Sequence, residues 1–409
     1  DGKNTISVAG KVGSLNTGAD ADSISVSGEV QTIKAGDGDD SIDLASSSKV
    51  SNIDAGAGND TISVSGQVSK EINAGAGNDI ININQGSKIF TLNAGEGDDT
   101  INIQRGADLN SAKIDGGSGF NSLKLSNDQV DLSKASLNNI NAISGEGKLN
   151  ANQVNNKSLT LGTEQTNSYG DLNGLFDSAN LTIQADKSTS NLSLNNLKIA
   201  QGSTGHTLNI TNVKETSISL NDQNLGNQDI DDLENYATKV NVTSTENKDN
   251  ITLSNGKFAT VDTSGGNDTI NVESSASVAT LKAGEGNDTI NVKGAVKDLD
   301  ASEGNDTIVL ESGSTTTNIN AGAGDDIVRF KSGAAAEVID GGAGNNTLVL
   351  DSGSSVDLTN TTLKNIQVLD GEATLSVNQI NGQSFILGGD KDKKVGESNL
   401  LGKASLKVS

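Results

Sequence analysis

Ten aspartates recur along this 409-residue chain at intervals of 18 to 20 residues, each closing a short turn. They are Asp22, Asp40, Asp60, Asp79 and Asp99, then Asp249, Asp268, Asp288, Asp306 and Asp326. In "AGEGDDTINI", Gly95 and Gly97 flank Glu96, and the turn ends at Asp98 and Asp99. Glycine lets the chain turn through positive φ and aim several carbonyls at one spot. Carboxylates and carbonyls are hard oxygen donors, and a flexible loop that converges them suits Ca²⁺ better than Mg²⁺, which demands tighter octahedral geometry. Zinc is a poor match, since the chain has no cysteine and His206 is its only histidine.

The spacing dictates the elements that must hold these turns. In "DTISVSGQVSKEINAG", Ile62 and Val64 alternate with serine, Gly66 marks a bend, and Val68, Ile72 and Ala74 bring the apolar face back to the next turn. Alternation with period two is the mark of a half-buried strand. Two short strands and two turns per unit make one coil of a parallel β-solenoid, whose stacked coils share a narrow core. Equivalent aspartates then lie above one another about 4.8 Å apart, the strand separation. Each like-charged pair would cost roughly 1 kcal/mol in water and several times more in a drier setting. Two turns, "GSGFNSL" and "GAGNNTL", end the series with Asn121 and Asn346 in the aspartate's place, and "KNTISV" at the start reads as a further unit without its turn.

Composition agrees. Apolar residues are 33% of the chain and aromatics 2%, thin for a conventional core, while the formal net charge is −24. That charge argues against a basic nucleic-acid surface, and order in such a polyanion requires something that neutralises acids. With neither Cys nor Pro there is no disulfide framework. No apolar run is long enough to span a membrane, so membrane insertion is not expected. The chain lacks Met and opens mid-pattern at Asp1, as expected of a processed product or a fragment.

The turns resemble the G-G-x-G-x-D-x-U-x repeats of the RTX, or haemolysin-type, calcium-binding family, in which U is a large apolar residue. "AGAGNDTIS" from Ala55 fits with Ala for the first Gly and Ile62 as U. The resemblance implies that the aspartate and loop carbonyls of consecutive coils share a Ca²⁺ ion. It assigns Asp40, Asp60, Asp79 and Asp99 to one column, with Asp288 and Asp326 matching in a second. The carbonyl-bearing turns are those at Gly36, Gly38, Gly56, Gly58, Gly75, Gly77, Gly95 and Gly97, and at Gly284, Gly286, Gly322 and Gly324. Asp22 joins the set although Asp20 replaces a motif glycine, and so do Asp268 and Asp306, where Ser264 and Ser302 replace one. Asp249 follows "TENK", without glycine, and stays outside it. The neighbouring Asp37, Asp39, Glu96, Asp98 and Glu285 read as solvated charges that attract cations without ligating. The family places a glycine turn every nine residues, but here there is one per coil, so multiple stacked ions are expected along one edge of each solenoid.

A longer duplication encloses the repeats. "IDGGSGFNSLKLSNDQVDLSKASLNNI" from Ile114 matches "IDGGAGNNTLVLDSGSSVDLTNTTLKNI" from Ile339, and "LNANQVNNKSLTLG" matches "LSVNQINGQSFILG". The expected organisation is all-β: a first solenoid or β-roll block over 1–124, a β-rich capping and linking segment over 125–245, a second block over 246–350, and a truncated second cap over 351–409. "NQDIDDLENYATK" reads as one short acidic helix. Tyr169, Tyr236 and His206 show no nucleophile–base spacing, and Arg105 and Arg329 fall at non-equivalent offsets, so no enzyme is expected.

The resemblance implies export in an unfolded form, commonly by type I secretion, and folding on meeting extracellular calcium. The leading functional expectation is a secreted or cell-surface structural protein, most like an RTX-type bacterial surface-layer subunit that self-associates into a lattice or filament. Cell-surface polysaccharide or lipopolysaccharide could be contacted through chain not present in this sequence. The alternative is the stalk of a large secreted adhesin. The calcium-binding roll of a polysaccharide-modifying enzyme comes last, because two Tyr and no Trp offer no sugar platform.

Overall fold

The computed structural model describes residues 2–162, 179–185, 191–194, 197–199, 206–213, 216–220, 238–244, 246, 248–350, 356–380, 386–387 and 405–408. The chain divides into two compact units, one of Asp1–Gln184 with Asn196–Leu208 and the other of Ala185–Asn195 with Asn209–Ser409.

In the first unit, each coil contributes one strand to each of two parallel sheets. Ser23–Val26, Ser41–Leu44, Thr61–Val64, Ile80–Ile83, Thr100–Ile103 and Ser122–Leu125 stack in register, so Ile24, Ile42, Ile62, Ile81, Ile101 and Leu123 form one apolar column. The opposite sheet has seven strands, from Lys11–Ala19 to Ser136–Asn138, in sequence order. Its inward column runs Leu15, Ile33, Ile53, Ile72, Leu92, Ile114 and Leu137. The second unit repeats the scheme, with Ile251, Ile270, Ile290, Ile308, Val328 and Leu348 facing Val261, Leu281, Leu299, Ile319 and Ile339. Val, Ile and Leu line a core only two side chains thick, and the columns compensate for the low apolar content because each coil is buried by its neighbours.

Outward positions carry amide ladders: Asn93 Nδ2 donates to Asn73 Oδ1 at 3.2 Å, Asn102 to Asn82 at 2.8 Å and Asn291 to Asn271 at 2.9 Å. Among the described residues, helix is confined to a 3₁₀ turn at Ala151–Gln153 and a single α-turn at Val377–Ile380. These occupy matching places in the long duplication. Gln153 Nε2 ties the carbonyls of Leu132 and Ala135, and Gln379 Nε2 ties those of Leu358 and Thr361. The acidic helix expected over "NQDIDDLENYATK" lies outside the described residues, except that Thr238 and Lys239 already belong to the strand Thr238–Ser244. Tyr169 and Tyr236 also lie outside them, while His206 opens the strand His206–Val213. No helix of the described residues is long and apolar enough to cross a membrane.

Candidate metal centre

The glycine turns bring successive coils closer than any side chain permits. Gly56 has φ +116°, and a Cβ on it would lie 1.8 Å from the carbonyl oxygen of Gly36 one coil earlier. At Gly58 (φ +137°) the equivalent approach, to Gly38 O, is 2.2 Å. All the glycines of the expected set adopt positive φ. Where the sequence departs from glycine the conformation survives: Asp20, Ser264 and Ser302 hold φ 79°, 63° and 75°. An L-residue there costs about 1–2 kcal/mol, so stacking, not local preference, fixes these turns.

The same turns fold the final aspartates inward. Asp22, Asp40, Asp60, Asp79, Asp99, Asp268, Asp288, Asp306 and Asp326 are all buried. Oδ1 of each accepts the backbone N–H of its counterpart one coil earlier. Asp40 N donates to Asp60 at 2.7 Å, Asp60 N to Asp79 at 2.8 Å, and Asp79 N to Asp99 at 2.9 Å. The row begins where Asn4 N meets Asp22 and Asp22 N meets Asp40, and it passes from Asp99 N to the amide oxygen of Asn121. In the second unit the links run from Asp268 through Asp288 and Asp306 to Asp326, and then to Asn346. Asp249, set aside for want of a glycine, joins this row as well, since its N–H donates to Asp268 Oδ1 at 2.8 Å.

Oδ1 is therefore engaged, but Oδ2 is not. In all nine expected aspartates Oδ2 is buried without a hydrogen-bond partner. A buried ionised oxygen left unpaired is expensive. Desolvation, reinforced by the carboxylates in adjacent coils and, at Asp326, by its neighbour Asp325, pushes the Asp79 and Asp306 carboxyls up to about 7 and those of Asp60, Asp288 and Asp326 up to about 6, against the pull of the backbone N–H bonds. Asp22, at the start of the row, is instead held below the usual range, chiefly by the Asn4 N–H. The interior oxygens thus call for a proton or a cation.

Among the described residues no group of three or more acidic, His or Cys side chains converges on one point. The donors on offer are the inner carboxylates and the turn carbonyls, an all-oxygen set that would fit Ca²⁺. An outer row flanks the inner one and points the other way along the stack. Asn59 N donates to Asp39 Oδ1 at 2.7 Å, Asn78 N to Asn59, Asp98 N to Asn78, and Phe120 N to Asp98. Asp39 and Asp98, expected to be merely solvated, are exposed but bonded to the next coil. The repeated Asn-Asp and Asp-Asp pairs were the available signal for this second row.

The fold and the turns define a parallel β-solenoid with glycine turns that stack inward-facing carboxylates. The family model of the RTX calcium-binding nonapeptide repeat (4 copies) matches residues 52–66, 71–87, 91–109, 279–292 and 331–356. Those segments are RTX calcium-binding repeats, and they contain Asp60, Asp79, Asp99 and Asp288. Asp22, Asp40, Asp268, Asp306 and Asp326 lie outside the matched segments but in the same hydrogen-bonded rows. No curated protein matches the chain in sequence. Among solved structures, the X-ray crystal structure of a hyperactive, Ca²⁺-dependent, β-helical antifreeze protein from an Antarctic bacterium is 17% identical over 84% of this chain and 84% of that one. Its TM-score is 0.22, a likeness too slight to bear on fold or function.

Proposed function

We propose that this chain is an extracellular structural protein whose solenoids are stiffened by Ca²⁺ ions stacked along the aspartate edge, and that it serves as a subunit of a surface layer or comparable surface assembly. The observation that carries the reading is the row of buried, partnerless Oδ2 atoms in consecutive RTX-type coils. Without a cation the acid edge repels itself. With one, each coil is clamped to the next, and binding free energy becomes folding free energy. Millimolar extracellular calcium supplies that switch, and cytosolic levels do not. The outward Ser, Thr and Asn ladders suit a covering material, and no catalytic constellation is proposed.

Calcium titration of the metal-free chain, followed by circular dichroism and electron microscopy, tests this reading. Calcium should induce β-structure, and the folded chains should assemble into ordered sheets or filaments. Folded chains that stay monomeric would favour an adhesin stalk, and β-structure indifferent to calcium would overturn the reading.

A further inference from the structure

Each coil places a small residue five positions before its inner Asp or Asn, and that residue changes with place in the row. The pairs run Thr17/Asp22, then Ala35/Asp40, Ala55/Asp60, Ala74/Asp79 and Ala94/Asp99, and end with Gly116/Asn121. The second unit runs Thr263/Asp268, Ala283/Asp288, Ala301/Asp306 and Ala321/Asp326, and ends with Gly341/Asn346. Both rows thus read hydroxyl–Asp, Ala–Asp repeated and Gly–Asn, the second opening on Ser244/Asp249 before Thr263/Asp268.

The structure gives a reason. Thr17 Oγ1 donates to the carbonyl of Ala35 at 2.7 Å, and Thr263 Oγ1 to that of Ala283 at 2.6 Å. At the other end, Asn121 Nδ2 donates to Asn139 O at 3.2 Å, and Asn346 Nδ2 to Asn365 O at 3.1 Å. Asn138 pairs with Asp115, and Lys364 with Asp340, so Asn139 and Asn365 each lie one residue past that register beside Gly116 and Gly341, and hydroxyl and amide reach equivalent carbonyls of the next coil. Glycine is needed there because a Cβ on Gly116 would lie 2.3 Å from the Asn139 carbonyl oxygen and 2.8 Å from Asn121 Nδ2, and one on Gly341 2.3 Å from the Asn365 carbonyl oxygen and 2.7 Å from Asn346 Nδ2. In the Ala–Asp coils neither donor exists. There Oδ1 makes the same inter-coil bond as the Asn Oδ1, so Oδ2 takes the branch that Nδ2 occupies in Asn and faces the next carbonyl, acceptor against acceptor.

We propose that the Thr hydroxyls and Asn amides are end-stops that close each cation row, so that ions occupy only the spaces ahead of the Ala–Asp coils. This rests on the calcium reading above and deepens it. It places four ions in the first unit, ahead of Asp40, Asp60, Asp79 and Asp99, and three in the second, ahead of Asp288, Asp306 and Asp326. Ahead of Asp22 and Asp268 the Thr hydroxyl already occupies the carbonyl that an ion would need, although Oδ2 there stays without a partner. Ser244 closes the space before that in the same way, its hydroxyl donating to Thr263 O at 2.9 Å. The outer acids Asp37, Asp39, Glu96 and Asp98 supply the remaining negative charge that four divalent ions require.

Native mass spectrometry of the full chain with Ca²⁺ as the only added metal, paired with circular dichroism, counts the ions. Thr17→Ala removes an end-stop and should raise the count by one. Ala55→Thr inserts one, in a backbone setting where Thr17 and Thr263 already fit, and should lower it by one. If the wild-type chain binds calcium but both folded variants keep its count, the end-stop inference is overturned while the calcium reading stands. If the wild-type chain binds none, both fall. Thr17→Ala deletes only a hydroxyl and a methyl, so it decides the matter even if Ala55→Thr does not fold.

Discussion

Replacing Asp79 by Asn in an Ala74→Gly background should reverse sign with calcium. The pair rebuilds, in mid-row, the Gly–Asn rung found at Gly116/Asn121 and Gly341/Asn346. Asn keeps the acceptor for the Asp60 N–H and replaces the orphan Oδ2 with a donor to the next coil. Without calcium the substitution should gain one buried hydrogen bond, about 1 kcal/mol, and remove a charge flanked by Asp60 and Asp99. At roughly 2–4 °C per kcal/mol for a unit of this size, the midpoint rises by about that much over the Ala74→Gly parent. With calcium at a hundred times its Kd, a lost ion removes about 2.7 kcal/mol, leaving a net loss of about 2 kcal/mol and a midpoint lower by roughly 3–7 °C. Thermal melts monitored by circular dichroism in chelator and in saturating calcium measure both shifts. Equal shifts of the same sign in the two buffers would refute the reasoning.

Asp60→Ala strands the Asp40 N–H in the interior and should lower stability by about 1–3 kcal/mol even in chelator, whereas Asp39→Ala, on the exposed outer row, should change it by less than about 1 kcal/mol; denaturant titration separates them. Gly56→Ala should cost on the order of 3 kcal/mol, because its Cβ meets the Gly36 carbonyl, while Ser302→Gly should stabilise by about 1 kcal/mol by relieving a left-handed serine. The raised carboxyls set the pH response of the metal-free chain. Their folded pKa values lie above the unfolded one, so folding takes up protons, and stability should fall as pH rises from about 4 to about 7. Calcium should flatten or invert that slope, because ions replace the protons; melts across this range in chelator and in calcium check it.

The sequence exposed the solenoid because its apolar alternation is local and its period is fixed: Ile62, Ile81 and Ile101 announce their own column. It exposed the inner aspartates for the same reason. The engagement of Asp249 was not legible, since its place in the row is set by the coil that follows and not by its own glycine-free turn. Nor was the direction of the outer row, because which coil a side chain reaches depends on backbone direction at the turn. The Thr–Ala–Gly progression was present in the letters but silent until Thr17 and Asn121 were seen to reach equivalent carbonyls.

Crystals grown in calcium, with an anomalous difference map, test most directly whether divalent cations bind the coils together. Peaks between the Oδ2 atoms of Asp40, Asp60, Asp79 and Asp99 and the carbonyls of the following coil, with matching peaks beyond Asp288, Asp306 and Asp326, are the expected result. A map without peaks in those spaces, at calcium concentrations that leave the chain folded, would contradict it.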